Sequence, residues 1–311
     1  MVKSLPVLLL LGACTGDISN DLFIEDATFR AALPDPAQLG VAWPVALSLP
    51  EEIDPDPFLL RGLLDSMAAT RLWVELLSGA VQPALTGTPS ARGDDYRVWG
   101  PYPYDAYPEY FLRVEMSRTS NASLYTFSVG VSNASSGPWR EFFTGTRVAD
   151  PTILSGWNGE LVWDASRLSE EIPGQAEGRV SLRYATAEPR LVELEVVDWQ
   201  EEGDTPSDSL TSFALTEDGG GRLEQVGDLD LGGGEAREHA QAIGQWLASG
   251  EGRADAVFSA GDLDQLRPAP SQCWGADGAV VWQQDLTGTW PTVGEDSACA
   301  EGLVPGEPDA L

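Results

Sequence analysis

This 311-residue chain is poor in the side chains that most enzymes use for proton transfer, Schiff-base chemistry or thiol attack: it has one histidine, one lysine and three cysteines. The lysine is Lys3, and the other seventeen of its 18 basic residues are arginines. A Ser-His-Asp or Cys-His arrangement would have to be built on His239. That residue lies among Arg237, Glu238 and Gln241, in a stretch from Glu235 to Ala248 that reads as a helix opened by Gly232-Gly233-Gly234 and closed at Gly250. Such a setting points to a solvated face. The chain has no HExxH, GxSxG, glycine-rich phosphate loop or CxxC, so nothing in it calls for a cofactor. No apolar run approaches the roughly twenty residues that cross a bilayer as a helix. With 49 acids the net charge is −31, which repels nucleic acid and anionic head groups.

What remains is enough for a folded body. Hydrophobic residues make up 42% of the chain and tryptophans number 11, so the acidity does not signal disorder. Asp56-Pro57 reads as a cap and first position of a helix over 57–78, with Leu60, Leu63, Leu64, Met67, Val74 and Leu77 at three-to-four spacing. A shorter amphipathic helix over 22–33 precedes it and stops at Pro34 and Pro36, with Phe23, Phe29 and Leu33 expected to dock on the body. From Asp94 to Leu231 the period changes to two. Leu112, Val114 and Met116 alternate with charged or polar residues, as do Val180, Leu182 and Tyr184, and Val192, Leu194 and Val196. Antiparallel strands with one dry face have this pattern. Two further strands are expected near 254–260 and 279–284. The fold class is therefore mainly β with a few helices (α+β): a curved antiparallel meander or half-barrel of roughly eight to ten strands packed on one long helix.

The N-terminus reads Met1-Val2-Lys3-Ser4, then an apolar run from Leu5 to Leu11, then Gly12-Ala13-Cys14. One cation, a short apolar core and small residues are the layout of a secretory signal. Leu11-Gly12-Ala13-Cys14 resembles the lipobox of bacterial lipoproteins. The resemblance implies removal of residues 1–13, acylation of Cys14, a lipidated tether over 14–21, and a membrane partner reached through acyl chains. Thr15, where an aspartate would favour inner-membrane retention, leans toward the outer membrane, on its periplasmic or surface face. The stretches Gly252-Arg253-Ala254-Asp255, Gly261-Asp262-Leu263, Cys273-Trp274 and Cys299-Ala300 resemble the C-terminal part of uncharacterised lipoproteins from high-GC bacteria, and that resemblance carries no activity with it.

In an exported chain Cys273 and Cys299 are expected to form a disulfide closing residues 252–300, because two cysteines without histidine neighbours make a poor zinc site. The domain plan is one β-rich unit over 22–300 and a frayed tail over 301–311. Other candidates are weaker. Asp228 with Asp230, or Asp262 with Asp264, are the carboxylate pairs that a glycoside hydrolase would need. Glu201, Glu202 and the loop Asp204-Thr205-Pro206-Ser207-Asp208 offer oxygens for calcium without EF-hand spacing. Trp99, in Trp99-Gly100-Pro101-Tyr102-Pro103-Tyr104, is the aromatic expected on a rim. The function expected is a non-enzymatic cell-envelope binding or scaffolding module, with an envelope protein, lipid or glycan as ligand. The alternatives are a periplasmic carrier of lipids or lipoproteins and a carboxylate-based polysaccharide hydrolase. A carrier would leave the concave face of the sheet open, and a scaffold would fill it with the 57–78 helix.

Overall fold

The computed structural model describes residues 20–34, 36–39, 41, 55–148, 156–201, 205–229, 236–263, 267–285 and 287–308. The period-2 stretches form one sheet of fourteen antiparallel strands. Its first five are Ala91–Arg92 (β1), Tyr96–Tyr104 (β2), Tyr107–Arg118 (β3), Leu124–Ser132 (β4) and Arg140–Val148 (β5). Gly159–Asp164 (β6), Glu177–Ala185 (β7), Arg190–Gln200 (β8), Ser207–Leu215 (β9) and Gly221–Leu229 (β10) continue it. Glu238–Trp246 (β11), Gly252–Ser259 (β12), Pro270–Trp274 (β13) and Val280–Asp285 (β14) complete it. Every strand pairs with its sequence neighbours, and β1 and β14 are the two edges of an open meander. The sheet is larger than the eight to ten strands expected, but of the expected kind.

Register explains why one face is dry. Val114, Val129, Phe143, Trp163, Val180 and Val196 lie opposite one another across β3 to β8. Trp163 is half-buried and the other five are buried. Because side chains alternate along a strand, a one-residue slip anywhere in this row would turn a whole strand's apolar set to water.

The long helix Phe58–Gly79 (α3) is the principal occupant of that face. Leu59, Leu60, Leu63, Met67, Val74 and Leu77 are buried in the core shared with the sheet. Trp73 meets Trp199 of β8 edge-on with ring centroids 4.8 Å apart. The start of α3 differs from the sequence expectation. Asp56 does not cap it; its carboxylate accepts from Arg61 Nε at 3.0 Å. The cap comes from β13, where Gln272 Oε1 accepts from Leu59 N at 3.1 Å and Gln272 Nε2 donates to Asp56 O and Gln283 Oε1. Gln272 is fully buried, so its amide must be satisfied by these partners. Gln272→Leu, which leaves the Leu59 N–H and the Gln283 carbonyl without this amide, is expected to cost about 1–3 kcal/mol. The urea midpoint with far-UV detection measures it, and an unchanged midpoint would mean that water substitutes for the amide.

The stretch 235–248, expected as a helix, is strand β11 from Glu238 onward. Its alanines have a different cause. Ala240, Ala242 and Gly244 share one face of the strand, and Ala254 and Ala256 of β12 lie opposite Gly244 and Ala242. An added Cβ at Gly244 would lie 2.5 Å from Leu63 Cδ1 of α3. The small residues make a trough in which the helix lies close to the sheet.

Shorter helices close the ends. Pro36–Leu39 (α2) and Gln82–Thr86 (α4) flank α3 in sequence, and Ala165–Glu171 (α5) is capped by Asp164, whose side chain accepts from Arg167 N at 3.0 Å. The first helix, Asp21–Ala31 (α1), docks by its second half: Phe29 is fully buried and meets Tyr125 edge-on at 5.7 Å. Leu33 is buried as expected, whereas Phe23 is 65% exposed. Asp26 is buried under two arginines of the sheet, with Arg97 Nε at 2.7 Å and Arg92 Nη2 at 2.9 Å.

On the outer face, Cys273 of β13 bonds Cys299, with Cα atoms 5.5 Å apart. Beside the bridge Arg253 meets Asp255 at 3.0 Å and Asp296 at 3.1 Å, and its guanidinium lies 4.9 Å above the Trp282 ring. In the tail, Val304 O accepts from Gln245 Nε2, and Gly306 N donates to Asp255 Oδ2. Their backbone satisfies polar groups of β11 and β12, which holds the tail on the sheet.

Candidate functional site: a groove beside the central helix

The alternation that buries one sheet face also decides which part of it α3 leaves uncovered. The helix contacts β12 and β13, and its last turn and α4 face residues of β2 to β6. Between them runs a groove of about 290 Å³. Leu76, Gly79, Ala80 and Pro83 line its helical side, and Tyr104, Leu112, Val129, Phe142 and Trp163 line its sheet side. The rings of Phe142 and Trp163 meet edge-on at 5.2 Å, and Tyr104 and Tyr107 tilt together at 5.4 Å. Leu72 and Leu76, one turn apart and both exposed, extend the apolar lining along α3.

Two polar groups reach this groove. Glu75 stands at its lip and is held by Arg71 Nε at 3.0 Å. Burial, with a smaller contribution from Tyr107, pushes the Tyr104 hydroxyl above the usual phenol range, so it stays neutral. Aromatic walls and a neutral hydroxyl hold an apolar or aromatic group and orient it by a hydrogen bond. The groove's volume sits at the lower end of ligand pockets, enough for one aliphatic chain or ring system.

A second cleft of about 320 Å³ lies between α1 and the ends of β4 to β7, lined by Thr28, Ala31, Tyr125, Arg147, Asn158 and Tyr184 among others. Arg147 there donates to Ala31 O, and Asn158 Oδ1 accepts from Thr186 N at 2.6 Å, so these two side chains serve the docking of α1 and the β7 turn. On the outer face a shallow depression over β2 to β5 is paved with Ser and Thr, with Ser117 and Thr126 hydroxyls 2.7 Å apart.

The sequence candidates fall as follows. Cys273 and Cys299 are paired. Cys14 lies outside the described residues, as do Asp230, Asp264, Glu202 and Asp204. Asp228 pairs with His239, Oδ1 to Nδ1 at 3.2 Å, on neighbouring strands. Both are well exposed, so the pair is the solvated one expected of His239 although the element is a strand. Asp262 sits in the 3-10 turn Gly261–Leu263. Asp208, the second residue of β9, accepts from Asp198 N at 2.7 Å, which commits its carboxylate to the backbone. Among the described residues no three His, Cys, Asp or Glu side chains gather as a metal site would require. Trp99 is fully buried in the core instead of on a rim.

The aromatic-proline segment nevertheless reaches the groove, through Tyr104 instead of Trp99. After the register shift between Trp99 and Tyr102, Tyr102 pairs with Leu112. Trp163 carried no signal of its own, because in sequence it continues the alternation of its strand, and Phe142 stands beside Phe143 where the register with β4 shifts. No family model, curated protein or solved structure matches the chain.

Proposed function

We propose that the chain is an exported, lipid-anchored module of the bacterial cell envelope that binds or scaffolds, with Cys14 as the acylated residue. One observation carries this reading. Of the three cysteines, Cys273 and Cys299 bond each other, so Cys14 is left over at the end of Leu11-Gly12-Ala13-Cys14. A disulfide between strands also suits an oxidising compartment. Removal of residues 1–13 and anchoring through Cys14, at the outer membrane as Thr15 suggests, are parts of the same proposal. Expression with an alkyne fatty acid tests it: wild-type protein takes up the label and fractionates with membranes, and Cys14→Ser loses both. Equal labelling of the two proteins would sink it.

The groove beside α3 supports a second reading, a carrier of an aliphatic ligand. The helix weighs against a large cargo, since Leu60, Leu63 and Met67 fill the trough that a two-chain lipid would need. Native mass spectrometry of the protein purified without detergent separates the readings. An added lipid mass supports the carrier, and a bare mass supports the scaffold.

A further inference from the structure

We propose that the tip of α1, Leu22, Phe23 and Ile24, inserts into the lipid interface beside the acylated Cys14 and fixes how the body stands on the membrane. The inference rests on the lipid-anchor reading above. These three residues are 56%, 65% and 60% exposed. They are consecutive, so at about 100° per residue they point around most of the helix end. A flat partner or a groove would cover only one side of such a tip. A bilayer interface surrounds it.

The opposite half of α1 is fixed, so the tip projects from the body. Phe29 is buried against Tyr125, and Asp26 is held by Arg92 and Arg97. The acids next to the tip would oppose membrane contact if they were free. Three acids flank the tip, Asp21, Glu25 and Asp26, against three arginines: Arg118 lies 2.8 Å from Glu25, and Arg92 and Arg97 hold Asp26, which leaves the local charge close to balanced in a chain of net −31. Reach agrees: eight residues separate Cys14 from Leu22, so the tip cannot stand more than about 28 Å from an acylated Cys14. Several acyl chains on Cys14 already anchor the chain stably, so what the tip adds is orientation.

The test places an environment-sensitive fluorophore on Phe23→Cys in the acylated protein, where Cys273 and Cys299 are already paired, and reconstitutes it in phosphatidylethanolamine–phosphatidylcholine vesicles. Ser135→Cys, in an exposed turn, carries the control label. A blue shift at position 23, with loss of most of its emission to nitroxide-bearing lipids and no change at 135, is the expected result. Vesicle-bound protein whose label at 23 remains as water-exposed as that at 135 would overturn the inference and leave the anchor reading intact. Should Cys14 carry no acyl group, the anchor reading fails separately. The labelled Cys14→Ser protein is then titrated with the same vesicles: quenching at 23 that disappears when L22S and I24S are added supports membrane contact by the tip, and its absence refutes it. Concentration-dependent quenching without vesicles would instead assign the tip to a second copy of the chain.

Discussion

Replacing Cys273 and Cys299 with serine lowers stability by about 3–4 kcal/mol, the loop-closure entropy expected for cysteines 26 positions apart in the chain-entropy model. The loss is expected to begin locally. The bridge holds the 3-10 turn Asp296–Ala298 beside Arg253, and through it the tail that bonds Gln245 and Asp255. Asp296 is well exposed, so its ion pair with Arg253 adds little without the covalent tie. Amide exchange should therefore rise first over residues 295–308, before the urea midpoint of the sheet is reached. A midpoint equal to that of the oxidised wild type would show that the bridge closes no loop of consequence.

The second large effect is at the α1–β2 contact. Arg97→Ala removes the closest partner of a buried carboxylate, and breaking a buried pair costs about 3–5 kcal/mol; Arg92 remains, so the lower end is expected. Its pH dependence identifies the cause. Burial acts to raise the Asp26 pKa, but hydrogen bonds and charge from Arg92 and Arg97 outweigh it and hold the carboxyl below the usual range. A carboxyl whose folded pKa is depressed contributes stability that is present above its unfolded pKa of about 4 and is lost as pH falls through the lower folded value. Urea midpoints of the wild type should fall across that window. In Arg97→Ala the folded pKa moves back toward the unfolded one, so the window narrows from its lower end and the acid loss is smaller; in Asp26→Asn the Asp26 contribution to the acid limb vanishes. Identical acid limbs in all three proteins would remove Asp26 from the account.

Much of the sheet was legible because alternation is a local property. Val180, Leu182 and Tyr184 declare a half-buried strand wherever the neighbours lie, since the pleat alone puts them on one face. The long helix was legible for the same reason at period 3.6, within one residue at each end. Its cap was not. Gln272 lies more than two hundred residues from Leu59 in sequence, and nothing near Pro57 announces that a β-strand amide will take the place of Asp56. The groove was only partly legible. The aromatic-proline segment marked the right strand, but the register shift after Trp99 decides that Tyr104, and not Trp99, meets the opening.

By itself the sequence determined the class of structure, the central helix and the cysteine pairing, because each is written in residues close together or in very few residues of one kind. Only the tertiary structure decided the identity of β11. Ala240, Ala242 and Gly244 favour a helix or a loop when read alone, since alanine has high helix propensity and strands favour bulkier residues. They are strand residues here because Leu63 of α3 occupies the space that larger side chains would need. A small residue chosen to admit a distant helix looks the same in sequence as one chosen for its own backbone. The exposed tip of α1 is the converse case: Phe23 looks like core in sequence, and only the direction in which Phe29 and Asp26 hold the helix puts it in solvent.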